Sequence, residues 1–245
     1  MDAYEEQAYV LLTQWRQNMQ KKPSLANRLA KGLQNKINSI IPEKVHKLIT
    51  VTIEKMVKAV LFGAKYTTTE KLPADASLFL RESYIKPQIT FYQKTAAAEG
   101  AAIGMGGILL GFAEFPILIG IKMKLLFNMA ALYGFDVKDY KERLYILYIF
   151  QLTFCSQQRR NEVYILLEGW ESYSAKLPAD TDQFDWRTFQ LEYRDYIDLA
   201  KMAQLIPVIG AAVGAIANYH LIAQLGETAM NCYRMRLLEP KKIGI

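Results

Sequence analysis

The sequence predicts an all-α protein folded as a single compact multi-helix domain. Apolar residues recur at three- and four-residue spacing along most of the 245-residue chain, as they do on one face of a helix. No run alternates apolar and polar residues in the way that a half-buried strand would. The composition, 51% hydrophobic and 22% charged, is typical neither of a disordered chain nor of a polytopic membrane protein.

Three amphipathic helices are predicted in residues 1–66, a basic N-terminal part that we expect to form one structural unit with the helical core at 67–245. The second helix follows Ser24 as its N-cap, and the third begins with Pro42 in its first turn and ends at Gly63. Their apolar stripes are Tyr4, Ala8, Leu11, Trp15 and Met19; then Leu25, Leu29, Leu33, Ile37 and Ile40; then Val45, Ile49, Thr52, Met56 and Val60.

A glycine-rich segment at residues 100–116 is predicted to be helical. Its glycines recur at spacings of 4, 3 and 4, which leaves one side of a helix free of side chains, so that another backbone can approach closely. Pro116 is expected to restart the helix, Gly134 to end it as C-cap, and Asp136 to cap the next helix. We expect this helix and the last one to pack closely in the core. The motif residues are Gly100, Gly104, Gly107, Gly111, Pro116, Gly134, Gly210, Gly214 and Asn218.

Further helices are predicted on both sides of the glycine-rich segment. The Lys86-Pro87 step is expected to break a helix, because proline lacks the N–H group that a helix interior needs. Leu144 to Cys155 is almost wholly apolar, which predicts a helix that is buried on every side. Later helices are expected around Leu167, from Asp185, and from Pro207 toward Pro240.

Two short strings recur at nearly equal offsets. Lys71 to Asp75 reads Lys-Leu-Pro-Ala-Asp, as does Lys176 to Asp180, and Gly100-Ala-Ala-Ile-Gly104 is matched by Gly210-Ala-Ala-Val-Gly214. An ancient duplication would make the domain pseudo-symmetric. The alternative is that both strings are common helix-start and small-residue patterns, since the flanking residues agree poorly.

The net charge of +6 is distributed unevenly. Residues 16–65 hold eleven Lys and Arg against Glu43 and Glu54, a net charge of +9. That stretch has one aromatic residue, Phe62, so base stacking has little to act on and nucleic acid is not expected as a partner. An anionic membrane surface fits better than nucleic acid, and a solvated face is the alternative. Four lysines fall within about 80° of one another on the third predicted helix and form the candidate membrane-surface site: Lys44, Lys47, Lys55 and Lys58.

The sequence offers few groups for catalysis. Two cysteines exclude a disulfide scaffold, two histidines limit metal and acid–base chemistry, and no nucleotide-binding loop is present, so neither a metal nor a cofactor is expected. Glu99, Glu114 and His220 are the candidate catalytic residues, because an acid beside tightly packed apolar helices can act as a general acid or base. The alternative is that the two acids are helix-end charges or partners of bases such as Lys122, and that His220 is a core residue.

Two segments are long enough and apolar enough to meet a bilayer. Residues 202–226 hold no Asp, Glu, Lys or Arg, and residues 100–121 hold only Glu114. Their glycines and prolines make them poor free-standing spans, so core helices and re-entrant segments both remain open. The acidic N-terminus, Met-Asp-Ala-Tyr-Glu-Glu, is unlike a secretory signal, and a cytoplasmic protein with reduced thiols is expected.

Four features together resemble the EcsC family. They are the glycine segment, the Glu114-Phe-Pro116 step, the helix ending in Tyr133-Gly134-Phe135-Asp136, and the run from Ile206-Pro207 through Gly210 and Gly214 to Asn218. In many members the acid before x-Pro is aspartate, whereas Glu114 stands here. The family takes its name from proteins encoded beside an ABC transporter linked to secretion and competence. The resemblance implies that context and transfers no catalytic residue.

We therefore expect a cytoplasmic protein that associates peripherally with the inner membrane face as an accessory or regulator of an ABC transporter. Its expected partners are an anionic membrane surface and subunits of the transporter. The alternative is a hydrolase with a glycine-lined site that uses the glutamates and the histidine named above.

Overall fold

The computed structural model describes residues 1–20, 43–62, 72–155, 157–179, 183–185, 187, 189 and 211–243, and the predicted helix at 24–40 lies outside them. Within these ranges it does not describe the side chains of residues 43–46, 61–62, 102–114, 157–158, 211–214 and 240–243. The described chain contains no β-strand, and the all-α prediction is confirmed. Its helices are α1 (Ala3–Gln20), α2 (Glu43–Phe62), α3 (Leu78–Tyr133), α4 (Tyr140–Phe154), α5 (Gln157–Glu168), α6 (Trp170–Ser174) and α7 (Ala211–Ile243).

Helix α3 folds back on itself as a hairpin. A straight helix of its 56 residues would be about 84 Å long, yet the Tyr133 hydroxyl donates to the Glu82 carboxylate at 3.1 Å. Asn128 likewise donates to Gln88 at 3.3 Å and to Tyr92 at 3.1 Å. The midpoints of these pairs fall between residues 107 and 110, so the backbone reverses direction inside the glycine-rich segment. We refer to residues 78–101 as the first arm, to 102–114 as the tip, and to 115–133 as the second arm.

Helix α7 packs along the inner side of this hairpin. It starts beside the tip, where Asn218 contacts Lys122 of the second arm, and it ends at the base, where Arg234 contacts Glu82 of the first arm. Midway along, a Cβ placed on Gly226 would lie 2.8 Å from the Ile89 side chain, so a larger residue would require Ile89 or one of the helices to shift. The core is continuous, because buried residues of α1, α2 and α4 belong to the same apolar cluster as the hairpin and α7.

A buried ion pair holds the base of the hairpin to α7. Arg234 donates to both oxygens of the Glu82 carboxylate, from Nε at 2.7 Å and from Nη2 at 2.6 Å. Tyr4 of α1 donates to the same carboxylate at 2.6 Å, and Tyr133 of the second arm does so at 3.1 Å. Burial first, and then the Glu82 charge, raise the pKa of Tyr133 well above its usual value, so the phenol remains a donor. Four segments therefore meet at one carboxylate.

A second buried pair joins α7 to α4. The Glu142 carboxylate accepts from Tyr233 at 2.8 Å and from Arg236 at 2.6 Å. The Arg236 guanidinium also lies over two rings, 3.8 Å from the centroid of Phe135 and 4.6 Å from that of Tyr145. Helix α4 is buried on nearly every side, as its apolar sequence predicted.

The base of the hairpin is closed by one arginine that binds backbone oxygens. Arg81 donates to the carbonyls of Ala74 at 2.8 Å and Ala76 at 3.0 Å in the loop before α3, and to that of Leu132 in the second arm at 3.0 Å. The loop and both arms are thereby fixed to one planar group. Gly134 ends α3 directly above this guanidinium with φ +94°, which confirms the predicted C-cap.

Three local predictions are wrong. Pro87 and Pro116 both lie inside α3 and neither breaks it, because packing against α7 and the other arm outweighs the missing hydrogen bonds. The N-cap of α4 is Asp139, whose side chain accepts from the Lys141 N–H, whereas Asp136 accepts from Lys138 in the turn before it. The division at residue 66 and the duplication stay predictions, since Lys71, Asp180 and Gly210 lie outside the described residues.

We expect Gly134→Ala to destabilise the fold by about 1–3 kcal/mol. An alanine there would adopt a left-handed backbone conformation, and its Cβ would lie 2.7 Å from Nη1 of Arg81. Gly120→Ala is the matched control, because nothing lies within 4 Å of its Cβ position and alanine favours a helix interior. Urea unfolding measures both, and equal midpoints would contradict the role given to Gly134.

Arg234→Leu is expected to cost about 3–5 kcal/mol of unfolding free energy, because it leaves the Glu82 carboxylate buried without its counter-charge. Arg159→Ala removes an exposed ion pair with Glu162 and should cost less than about 1 kcal/mol. Replacing both buried partners, with Glu82→Leu added to Arg234→Leu, should recover much of the loss. Similar costs for Arg234→Leu and Arg159→Ala would refute this assignment.

Candidate functional site

The structure does not bring the candidate catalytic residues into one site within the part that it describes. Glu99 is half-buried on the first arm, and His220 is exposed on α7 with its ring edge-on to Tyr219. The structure shows no hydrogen bond between Glu99 and His220. The backbone of Glu114 lies at the end of the tip, and its side chain is outside the described set.

A surface cavity of about 570 Å³ lies on the outer side of the first arm. Its lining residues are Ser83, Tyr84, Pro87, Gln88 and Phe91, so it contains none of the candidate catalytic groups. Pro87 has no N–H group to donate to the Ser83 carbonyl, one turn before it. The cavity is a surface recess with two aromatic residues in its lining.

The most perturbed polar group near the tip is Lys122. Its side chain is fully buried, and its ammonium group donates to the Leu118 carbonyl at 3.4 Å and to Oδ1 of Asn218 at 3.3 Å. Burial lowers the pKa of Lys122 from 10.5 to about 7, since the charged form has lost its hydration. Lys122 and Asn218 are 96 residues apart in the sequence, and no spacing rule pairs them. The periodicity of the buried residues Leu118, Lys122 and Leu126 is the signal that could have placed Lys122 in the core.

The glycines of the motif divide between the core and the tip. Gly100 is buried at the end of the first arm, and Gly104, Gly107 and Gly111 lie in the backbone that reverses direction. Gly214 lies in the first turn of α7, while Gly210 is outside the described residues. The closest glycine contact with a neighbouring helix that the structure shows is at Gly226, which sequence analysis did not single out.

The basic face of α2 is partly visible. Lys47, Lys55 and Lys58 are exposed, whereas Ile49 and Met56 on the opposite side are buried in the core. The backbone of Lys44 lies in the same helix, but its side chain is not described. Three of the four predicted lysines thus stand on a helix that is held from behind by its apolar face.

Polar and aromatic side chains surround the bundle at one level below the tip. Lys94 and Lys124 are exposed on the two arms, each 15 residues from residue 109 in the middle of the reversal. Tyr219 and His220 are exposed on α7 at the level of Lys122, because the preceding Asn218 contacts that lysine. We call these four residues the belt. The sequence contains these residue types, but their common level depends on the reversal of α3, which the sequence did not predict.

Above the belt, toward the tip, the exposed side chains are apolar. Ile117 on the second arm is 50% exposed and Ile216 on α7 is 59% exposed. Among the described residues, one window, Phe115–Tyr133, is long and apolar enough to cross a membrane, with a mean hydropathy of 1.6. Two thirds of it is buried, and core helices of soluble proteins pass the same test.

The described side chains contain no cluster of three His, Cys, Asp or Glu that could hold a metal ion. Cys155 and Cys232 are both buried and unbridged, and burial raises the pKa of the Cys232 thiol.

We expect Lys122→Met to stabilise the protein at pH 7 and to flatten the pH dependence of stability. Between pH 7 and 10.5 the unfolded chain binds a proton at Lys122 that the folded chain lacks, so the free energy of unfolding rises with pH by about 1.4 kcal/mol per unit. Lys124→Met, on an exposed neighbour, should keep the slope. Urea titrations from pH 7 to 10 test this, and parallel profiles for the two variants would exclude a neutral Lys122.

Comparisons with known proteins agree over nearly the whole chain. The EcsC protein family matches residues 6–238. The chain is 45% identical to Protein EcsC of Bacillus subtilis (strain 168) over 226 residues, which cover 92% of this chain and 93% of that protein. It is 26% identical over 219 residues to the uncharacterized protein YdbA of the same organism, covering 82% and 80% of the two chains. No solved structure matches. On this family match and this identity, the chain belongs to the EcsC protein family.

Proposed function

We propose that the protein is an accessory or regulatory protein of an ABC transporter and that it binds the cytoplasmic face of the membrane. The observation that carries the membrane part is the face of α2, on which Lys47, Lys55 and Lys58 point to solvent while Ile49 and Met56 anchor the helix in the core. Such a helix can lie along an anionic surface without unfolding. The attraction is screened over about 8 Å at physiological ionic strength, so binding is salt-sensitive.

The transporter part is supported by the family. The EcsC family takes its name from proteins encoded beside an ABC transporter, and this chain matches it over most of its length. A protein held at the membrane surface encounters a membrane-embedded partner far more often than one free in solution. Surface binding and a transporter partner therefore support each other.

Reversing two charges of the lysine face is expected to weaken membrane binding. Lys47→Glu with Lys55→Glu should lower the binding constant for anionic liposomes by more than tenfold, since each basic residue near such a surface contributes about 1 kcal/mol. The thermal midpoint should stay nearly unchanged, because exposed charges contribute little to folding. Co-sedimentation with liposomes measures binding.

Lys138→Glu with Lys176→Glu is the matched control, because it makes the same charge change at two other exposed lysines. If both double variants bind as wild type does, or if both lose the same affinity, the α2 face is not the contact surface. In proteoliposomes that hold the ABC transporter proposed as partner, adding the wild-type chain should change the rate of ATP hydrolysis. An unchanged rate at saturating protein argues against the regulatory role.

A further inference from the structure

The hairpin of α3 places three layers in order along one axis. The tip lies at one end, and its sequence between Ala102 and Ala113 has no charged residue. The exposed Ile117 and Ile216 come next, and the belt of Lys94, Lys124, Tyr219 and His220 follows. Apolar, then amphipathic, is the order in which a bilayer presents its hydrocarbon and its interface.

The belt lies at a depth that matches one leaflet. Lys94 and Lys124 are each 15 residues from the middle of the reversal, which is about 22 Å at 1.5 Å per residue. One leaflet, with its headgroups, is about 20–22 Å thick. Two lysines on different arms therefore reach the headgroup level together.

The belt residues are of the types that mark a membrane interface. Tyrosine has an apolar ring and a polar end, and lysine can extend its ammonium group toward headgroups while its alkyl chain stays in an apolar layer. Among the described residues, neither Lys94 nor Lys124 makes an ion pair or a side-chain hydrogen bond, so both charges are available to phosphate groups. Phe91, the next exposed residue down the first arm, is 62% exposed.

The backbone of the tip is suited to this environment. Residues 102–114 are helical, so their N–H and C=O groups bond within the segment except where the backbone turns. Two acidic residues, Glu114 and the half-buried Glu99, lie between the belt and the middle of the reversal. Their carboxyl groups oppose insertion, whereas the apolar sequence of the tip and the exposed Ile117 and Ile216 favour it.

We propose that the hairpin of α3, together with the start of α7, inserts tip-first into one leaflet of a lipid bilayer and stops at the belt. This deepens the membrane association proposed above and rests on it for the membrane's identity. It adds a second contact that depends on apolar burial, whereas the α2 face acts through charge. The two contacts respond differently to lipid charge and to salt, and they can be tested separately.

The test uses the full chain and vesicles of neutral phosphatidylcholine, on which the lysine face has no net charge to bind. Ile117→Asp with Ile216→Asp should lower partition into these vesicles at least tenfold. Val10→Asp with Ile165→Asp is the matched control, since these residues are 57% and 56% exposed on α1 and α5, near the base of the hairpin. The Lys47→Glu, Lys55→Glu variant should insert into neutral vesicles as wild type does, even if it fails on anionic ones.

A depth measurement makes the test independent of affinity. An environment-sensitive fluorophore on Ile117→Cys should shift to the blue with vesicles and be quenched by lipids that carry a quencher in the acyl chain. The same label on Ser83→Cys, an exposed position near the base, should do neither. The native cysteines are buried and should stay unlabelled in the folded protein.

The proposal is overturned if wild type does not partition into neutral vesicles, if the tip pair and the base pair lose the same affinity, or if the label at residue 117 remains in water. Quenching at both positions would also overturn it, because the base of the hairpin would then be as deep as the tip. Partition by wild type, loss with the tip pair alone and quenching at residue 117 alone support it.

Discussion

The pairing of Glu82 with Arg234 is the interaction on which the arrangement of helices depends. The carboxylate, on the first arm of the hairpin, receives hydrogen bonds from the last helix, from the second arm and from α1. A buried ion pair adds little net stability compared with apolar residues of the same volume, because desolvation offsets the attraction. Its effect is on register. A shift of α7 along the hairpin, or of one arm along the other, would leave a buried charge without a partner. Such shifted alignments of the helices are therefore strongly disfavoured.

The alignment of the two arms and α7 at the base determines which residues lie at the same level near the tip. With Glu82 fixed opposite Tyr133 and Arg234, the two arms run side by side, so that Asn128 meets Tyr92 and Lys94 and Lys124 lie within about one helical turn of each other. Farther along, Asn218 of α7 meets Lys122. Gly226 allows α7 to lie close against the first arm between these points. The common level of the belt residues is therefore a consequence of packing at the opposite end of the hairpin, its base. The membrane contact proposed for the tip would depend for its geometry on the buried carboxylate at the base.

Local periodicity predicted those features that one helix determines by itself. It placed Ile49, Met56 and Val60 in the core, and it predicted the burial of α4. In α1 it chose Leu11, which is exposed, whereas Leu12 is fully buried, because two adjacent leucines fit the stripe equally well. The C-cap at Gly134 was also predictable, since glycine is the residue that ends a helix in the left-handed conformation.

The hairpin and the candidate membrane contact could not be read in the same way. Pro87 and Pro116 suggested breaks, because propensity does not report the packing that keeps the helix intact through both. The partner of Glu82 is 152 residues away in the sequence, and no spacing rule connects them. The belt is composed of ordinary surface residues on three segments of chain. Their common level became visible only when the reversal of α3 brought two of those segments together.

The same separation in sequence has a consequence for biosynthesis. At about 5–20 residues per second, translation would deliver Arg234 on the order of ten seconds after Glu82. During that interval the completed hairpin has no α7 against its inner side, and a buried carboxylate of the final structure is still open to water. The nascent chain is then a two-armed apolar element attached to a ribosome, and whatever surface it meets first competes with its own C-terminal helix. The order in which the chain emerges thus leaves the apolar inner side of the hairpin uncovered until the last helix is made.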